Sequence, residues 1–518
     1  MKLNYRFKIV FFLTFFIIIY CNAQAPAIEW QKNFGGSASE NGYSIIQTQD
    51  GGYIVVGDTN SSNGDITGYH GNTDVWVVKL NSSGIIEWQK ALGGTFVDKG
   101  NYIIQTQDGG YILVGETSST NGDVTSNHGE YDVWVVKLNS SGSIEWQKTY
   151  GGTLMEQGQS IVQTQEGGYI LVGSTSSTNG DVIGNHGEYD VWVVKLNSSG
   201  SIEWQKALGG TILDIGKGIL QIQDGTYIVA GTVRSINGDV IGNHGGGDIW
   251  VVKLNSTGSL LWQKTYGGGT SDGLNSIYAT TDGGYAITGG SNSLSGDVTQ
   301  NQGGYDNWVI KLNSSGTIEW QRTIGGSQTD IGESITQAPD GGFVVVGYTF
   351  SNDGDIYGNQ GIVDSWIVKL NSTGTIEWQK LLGGSSHDSS SSIVKTLNGS
   401  YIISGNSNSQ DGDLTGNNGN SDVWVVKLYA ENLLNPTFKD QIQITLSPNP
   451  TKEKITLKLD YFNPSQKVSI SDIQGKIIHN QELESVSTTI NTGSFEKGIY
   501  FLNLIDGTQK TTKKFIVE

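Results

Sequence analysis

One cysteine occurs among 518 residues, Cys21. It directly follows the only long apolar run, ahead of Ala23, so a chain cut after Ala23 carries none. That excludes disulfide stapling, thiolate catalysis and Cys-ligated metals. Proline is scarce, six residues, and the 74 glycines follow no Gly-X-Y period, which excludes a collagen-like chain. Charged residues are 16%, too few for a charge-rich disordered chain. Cations are outnumbered, 31 against 50, for a net charge of −19. Such a balance argues against nucleic acid or anionic lipid as partners. There is no Gly-Xaa-Ser-Xaa-Gly elbow, no His-Glu-Xaa-Xaa-His and no Walker loop.

The apolar run, IVFFLTFFIIIY at 9–20, follows Lys2, Arg6 and Lys8. At 12 residues it is too short for an ordinary membrane-spanning helix. With Ala23 ahead of the cut, residues 1–23 read as a secretory signal peptide. The bulky Tyr20 before Cys21 argues against lipid attachment there.

The tryptophans set a period. Trp30, Trp88, Trp146, Trp204, Trp262, Trp320 and Trp378 step by 58 residues. So do Trp76, Trp134, Trp192, Trp250, Trp308, Trp366 and Trp424, and the two series use all 14. Each unit offers four strand signals, here at 42–49, 52–59, 74–81 and 85–92, joined by DGG and SSG turns and one long loop. Four strands per unit in seven copies predict an all-β, seven-bladed β-propeller over 24–428. The array opens with a lone fourth strand, IEWQK at 28–32, and closes with a lone third strand, DVWVVKL at 422–428. Each would expose an unpaired edge. Pairing them completes the seventh blade and closes the ring with the N-terminal strand.

Both faces of the third strand are apolar, as a blade between two neighbours requires. Its Trp residues therefore read as core, and the fourth-strand Trp as outer core or as sugar-stacking platforms. The Gly-Gly pairs and spaced Tyr and Trp resemble kelch repeats. The period and the Val56-Gly57-Asp58 end of the second strand depart from them. The unit resembles more closely the long Gly/Asp/Trp tandem repeats of secreted Bacteroidota proteins.

Three acid positions recur in all seven units, beginning with Glu40, Asp65 and Asp74, and place 21 of 50 acids in loops expected on one face. The loop NGDITGYHGNTD (63–74) spaces oxygens as a calcium loop does, with Gly68 sixth and Asp74 twelfth. The candidate calcium ligands are Asp65 and Asp74, Asp123 and Asp132, Asp297 and Asp306, and Asp411, Asp413 and Asp422. Against calcium, the last ligand is Asp rather than Glu, and Ile183, Ile241 and Tyr357 fill the fifth position in three units. The competing reading is that Asp and Asn cap backbone turns. His70, His128, His186 and His244 share a position that Gln302, Gln360 and Asn418 fill later, which fits a turn hydrogen bond better than a metal cluster. The repeated NSS and NST triplets read as tight turns.

After Leu428 the period stops. Residues 429–441 read as a linker, and 442–518 give about seven short strands, a small β-sandwich. The landmarks Pro448-Asn449-Pro450, Asp472-Ile473-Gln474-Gly475-Lys476, Gly498-Ile499-Tyr500 and Lys513-Lys514-Phe515-Ile516-Val517 occur in order. They closely resemble the type A C-terminal sorting domain of the type IX secretion system. That resemblance implies Sec passage, engagement of the type IX machinery through 442–518, and release or attachment at the outer-membrane surface.

The expected function is non-catalytic binding or adhesion by a monomer, to glycan or protein, through the acidic loop face. The alternatives are a propeller enzyme acting on extracellular glycans and a structural surface-layer component. Catalysis would need units that break the repeat. The fifth and sixth deviate most, in single residues such as Arg322.

Overall fold

The computed structural model describes residues 24–431 except 415, and 444–518 except 460, 461, 463–465, 484, 507 and 508. The signal-peptide reading and most of the linker lie outside the described residues. Two compact units divide between Leu433 and Leu434.

In the first unit, β1 (Ile28–Phe34) precedes a four-stranded antiparallel sheet of β2 (Glu40–Gln47), β3 (Tyr53–Thr59), β4 (Asp74–Leu80) and β5 (Ile86–Leu92). Five further sheets repeat that order. The seventh holds Asp388–Lys395, Tyr401–Ser407 and Asp422–Leu428, and β1 supplies its fourth strand. β1 pairs antiparallel with Asp422–Leu428, Gln31 opposite Val426 and Phe34 opposite Val423. Innermost strands pack against their neighbours from sheet to sheet, and the seventh packs on β2.

Between adjacent sheets lies a hydrophobic cluster. Phe34, Val423 and Val425 of the seventh sheet share one with Ile45, Tyr53 and Trp76 of the first. Every third-strand Trp is at most 1% exposed. Trp76 Nε1 donates to Gln89 on β5 at 2.9 Å, which satisfies the indole in the interior. Trp424 Nε1 makes the same bond at 3.1 Å to Gln31, and Lys427 reaches Glu29 at 3.0 Å as Lys79 reaches Glu87 at 2.8 Å. β1 thus reproduces across nearly the whole unit what β5 does locally. The fourth-strand Trp rings are not free platforms: Trp30 stands edge-on to Tyr53 at 5.8 Å and covers Gly84 of the next sheet.

Among its described residues the second unit has seven strands in two sheets, one of three and one of four. Ile455, Leu457, Val468, Leu502 and Phe515 are buried between them. Each sequence landmark has a structural task. Asn449 Oδ1 accepts Ile516 N–H at 3.0 Å, Asp472 Oδ1 caps the turn at Gln474 and Lys476, and Tyr500 stacks on Phe515 at 5.7 Å.

Candidate functional site

The repeated acids do not form an exposed face. Fourteen of the 21 start strands and are at most 1% exposed: the Glu40 series on the innermost strands and the Asp74 series on the third strands. The loop expectation fails because the innermost strands begin at Glu40 rather than 42, and because the Asp74 series, at the head of the third strand as the pattern indicates, is buried there. The Asp65 series is half-buried.

All three series converge on a Gly–Gly turn repeated seven times. Asp65 Oδ2 accepts Gly35 N–H at 3.1 Å, Glu40 Oε2 accepts Gly36 N–H at 2.7 Å, and Asp422 lies against the Gly35 Cα. A Cβ on Gly35 would overlap both the Asp422 and Glu40 carboxylates, so only glycine fits. Among the calcium candidates, Asp123, Asp297 and Asp413 accept Gly93, Gly267 and Gly383 N–H at 3.2–3.3 Å. Asp411 accepts Ser385 N–H at 2.7 Å. Asp74, Asp132, Asp306 and Asp422 fold back on the N–H four residues earlier at 2.7–2.8 Å. The spacing that resembles a calcium loop thus serves two different backbone segments. Among the described residues no group of three His, Cys, Asp or Glu side chains gathers as a metal site.

The recurrent histidines serve these acids. His70, His128, His186 and His244 place Nδ1 2.6–2.9 Å from Asp74, Asp132, Asp190 and Asp248. Asp306 and Asp422 face Gln302 and Asn418 instead, and burial pushes both up to about 6. The second oxygen of all seven Asp residues in this series is buried without a hydrogen-bond partner.

Among the places where the units differ is the axis. Each innermost strand carries a β-bulge, on β2 between Gly42 and Ser44. The bulged residues are Tyr43, Asn101, Gln159, Lys217, Asn275, Glu333 and Ser391. A bulge re-aims a side chain out of the pleat, and these seven line one axial cavity of about 360 Å³. Opposite each bulge the second strand holds glycine, since a Cβ on Gly57 would collide with the Asn41 carbonyl. That lone strand glycine is the sequence signal of the bulge, and sequence reasoning took it only as a departure from kelch repeats.

The wall is polar and asymmetric. Asn41 and Tyr43 donate to the two oxygens of Asp58 at 2.8 and 3.0 Å. Lys99 lies 4.0 Å from Glu116. Lys217 and Glu333 face the cavity from the fourth and sixth sheets, with no ion pair or side-chain hydrogen bond to other described residues. Burial pushes the carboxyls of Asp58, Glu116 and Glu333 up, while the Lys99 ammonium opposes this for Glu116 and Lys217 for Glu333. Arg322 sits away from the axis, 4.0 Å from Asp355.

A stretch of 86 residues is 31% identical to a funoran endo-beta-hydrolase of Wenyingzhuangia aestuarii, covering 16% of this chain and 11% of that protein. Among solved structures, PorZ, a surface component of the type-IX secretion system of Porphyromonas gingivalis, is similar at 13% identity and TM-score 0.39, over 94% of this chain and 60% of that one. Sqt1 from Chaetomium thermophilum is similar at 13% identity and TM-score 0.40, over 73% and 83%. The chain therefore spans about a tenth of the curated relative and 60% of PorZ. Residues 445–518 match the family of secretion system C-terminal sorting domains, so the propeller is carried by a type IX signal to the cell surface or the medium.

Proposed function

We propose that the propeller is a non-catalytic extracellular binding module whose ligand, a glycan, enters the axial cavity. The observation that carries this is where the units diverge. The turn acids and third-strand Trp repeat in every unit, while the bulged residues lining the cavity span Tyr, Asn, Gln, Lys, Glu and Ser. A scaffold needs only the repeat; a ligand without sevenfold symmetry needs an unequal wall. All seven side chains are polar, as recognition of hydroxyl groups requires. An array of extracellular polysaccharides probed with the signal-cleaved chain tests this. Wild type retains a subset, and K217A/E333A loses them at least tenfold. Retention untouched by that pair moves the site off the axis.

A second reading, a glycan-cleaving enzyme, draws on Glu333. A carboxyl with raised proton affinity in a cavity beside Lys217 suits a general acid. The likeness to a hydrolase spans fewer residues than two repeat units and leaves this reading on Glu333 alone. Release of reducing ends by wild type, abolished in E333Q, would favour it.

A further inference from the structure

Three glycines stand at one side of the channel mouth where the fold does not ask for them. Gly247, Gly273 and Gly290 line a second cavity of about 330 Å³ that shares Asn275 and Glu333 with the axial one. At the position of Gly273 the other units carry Asn41, Lys99, Gln157, Ile215, Ile331 and Ser389. None of the three has a left-handed φ. A Cβ on Gly273 would meet only Thr232 Oγ1, at 3.7 Å, and one on Gly247 would meet Thr232 Cγ2 at 3.5 Å, an ordinary contact. On Gly290 the nearest atom would be Ile331 Cδ1 at 2.6 Å, the end of a flexible side chain. These glycines are thus explained by the space they leave, not by backbone strain or crowding.

What surrounds that space is chemically mixed. Tyr305 and Tyr348 bring rings, and Tyr348 is backed edge-on by Phe350 at 6.1 Å. Arg234 brings the cation. The chain has three arginines: Arg6 in the leader, Arg322 facing Asp355, and Arg234. The Arg234 backbone is pinned, its N–H donating to Asp214 Oδ1 at 3.0 Å, but its exposed guanidinium has no acid within ion-pair distance among the described residues. The equivalent residues are Asn60, Ser118, Ser176, Asn292, Phe350 and Asn408, so this cation belongs to one junction only. In a protein of net charge −19 an arginine without an acid partner beside a ring-lined niche has the chemistry to receive an anion.

We propose that this niche binds an acidic sugar residue, a carboxylated or sulfated hexose, with its anionic group forked on the Arg234 guanidinium, its ring against the tyrosines and its hydroxyls reaching Asn275. The planar fork suits carboxylate and sulfate bidentately, and the tyrosine faces suit the apolar face of a pyranose. This rests on the glycan-binding reading and names the residue that reading lacks.

Calorimetry on the signal-cleaved full chain at low salt tests it, with D-glucuronate, galactose 6-sulfate, galactose and sodium sulfate as probes. At least one acidic sugar binds, galactose and sulfate alone bind at least tenfold more weakly, and raised salt weakens the complex. R234Q lowers affinity at least tenfold and R234K less. G273L fills the niche and abolishes binding with an unchanged melting temperature; if G273L melts early, R234Q decides. Galactose or bare sulfate binding as well as the acidic sugars overturns the inference, and so does acidic-sugar binding indifferent to R234Q. A polysaccharide retained by wild type and R234Q but lost in K217A/E333A sinks the niche and leaves the axial reading standing. Retention of no glycan at all sinks both.

Discussion

A carboxylate repeated seven times need not be a ligand, and Asp422 shows why. Its Oδ2 accepts Asn418 N–H at 2.8 Å, while Oδ1 is buried against Gly35 without a partner and in reach of Glu40. Desolvation then favours the protonated form, and without the histidine found at four other junctions the carboxyl is pushed up to about 6. The unfolded value is 3.8, so between about pH 3.8 and 6 the folded chain holds more protons than the unfolded one. Stability from this group is therefore present at low pH and lost as pH rises through 6. Asp306 behaves alike, also pushed up to about 6. Replacing Asp422 by Asn keeps an acceptor for Asn418 and removes the charge. D422N is expected to gain about 1–3 kcal/mol over wild type at pH 8 and nothing at pH 4. Urea unfolding at both values checks this; an equal gain at the two would mean the charge is not the cause.

At the scale of elements, β1 matters most. It covers the edge of Asp422–Leu428 and supplies the partners of Trp424 and Lys427. Removing 28–34 uncovers that edge and leaves a buried indole N–H unpaired, at a cost well over ~4 kcal/mol. The truncated chain should aggregate on a sizing column under conditions where the intact one does not; an unchanged profile and melting temperature would show that the ring holds without its outer strand. The long loops are the second element at issue. Their Asp and Asn oxygens already serve the Gly–Gly turns, so melting temperature is expected to stay within ~1 °C between millimolar calcium and chelator. A shift of several degrees, as mass action gives a ligand of the folded form, would support Asp65, Asp74 and their equivalents as calcium ligands.

For the whole molecule, symmetry and its breaking divide the labour. Seven nearly identical units make core and turns, which is all the stability of a ring requires. Function then has to be sought where the units are unequal. In this chain the axis and the niche beside the fifth sheet are two such places. The single variants K217A and G273L address those two places separately, since Gly273 lines only the niche and Lys217 only the axial cavity, whereas Glu333 lines both. The sorting domain is a second unit with its own core, and it decides destination whatever the propeller binds.

The 58-residue period, the four strands per unit, the displaced first strand and the sorting landmarks were legible in the sequence, because each rests on local pattern: alternation, turn residues and spacing. Trp30 and Trp424 belong to one sheet for the same reason, an unpaired strand at either end of the array. Acid burial was not legible, because whether Glu40 ends a loop or starts a strand, and whether Asp74 at the head of its strand is covered, depends on the neighbouring sheet. Nor was the axis. Tyr43, Lys217 and Glu333 lie far apart in the chain and inside otherwise conserved phrasing of the repeat, and only bulging toward a common centre makes them neighbours of one cavity. Local pattern determined which strands form; the tertiary ring decided which unequal residues face each other.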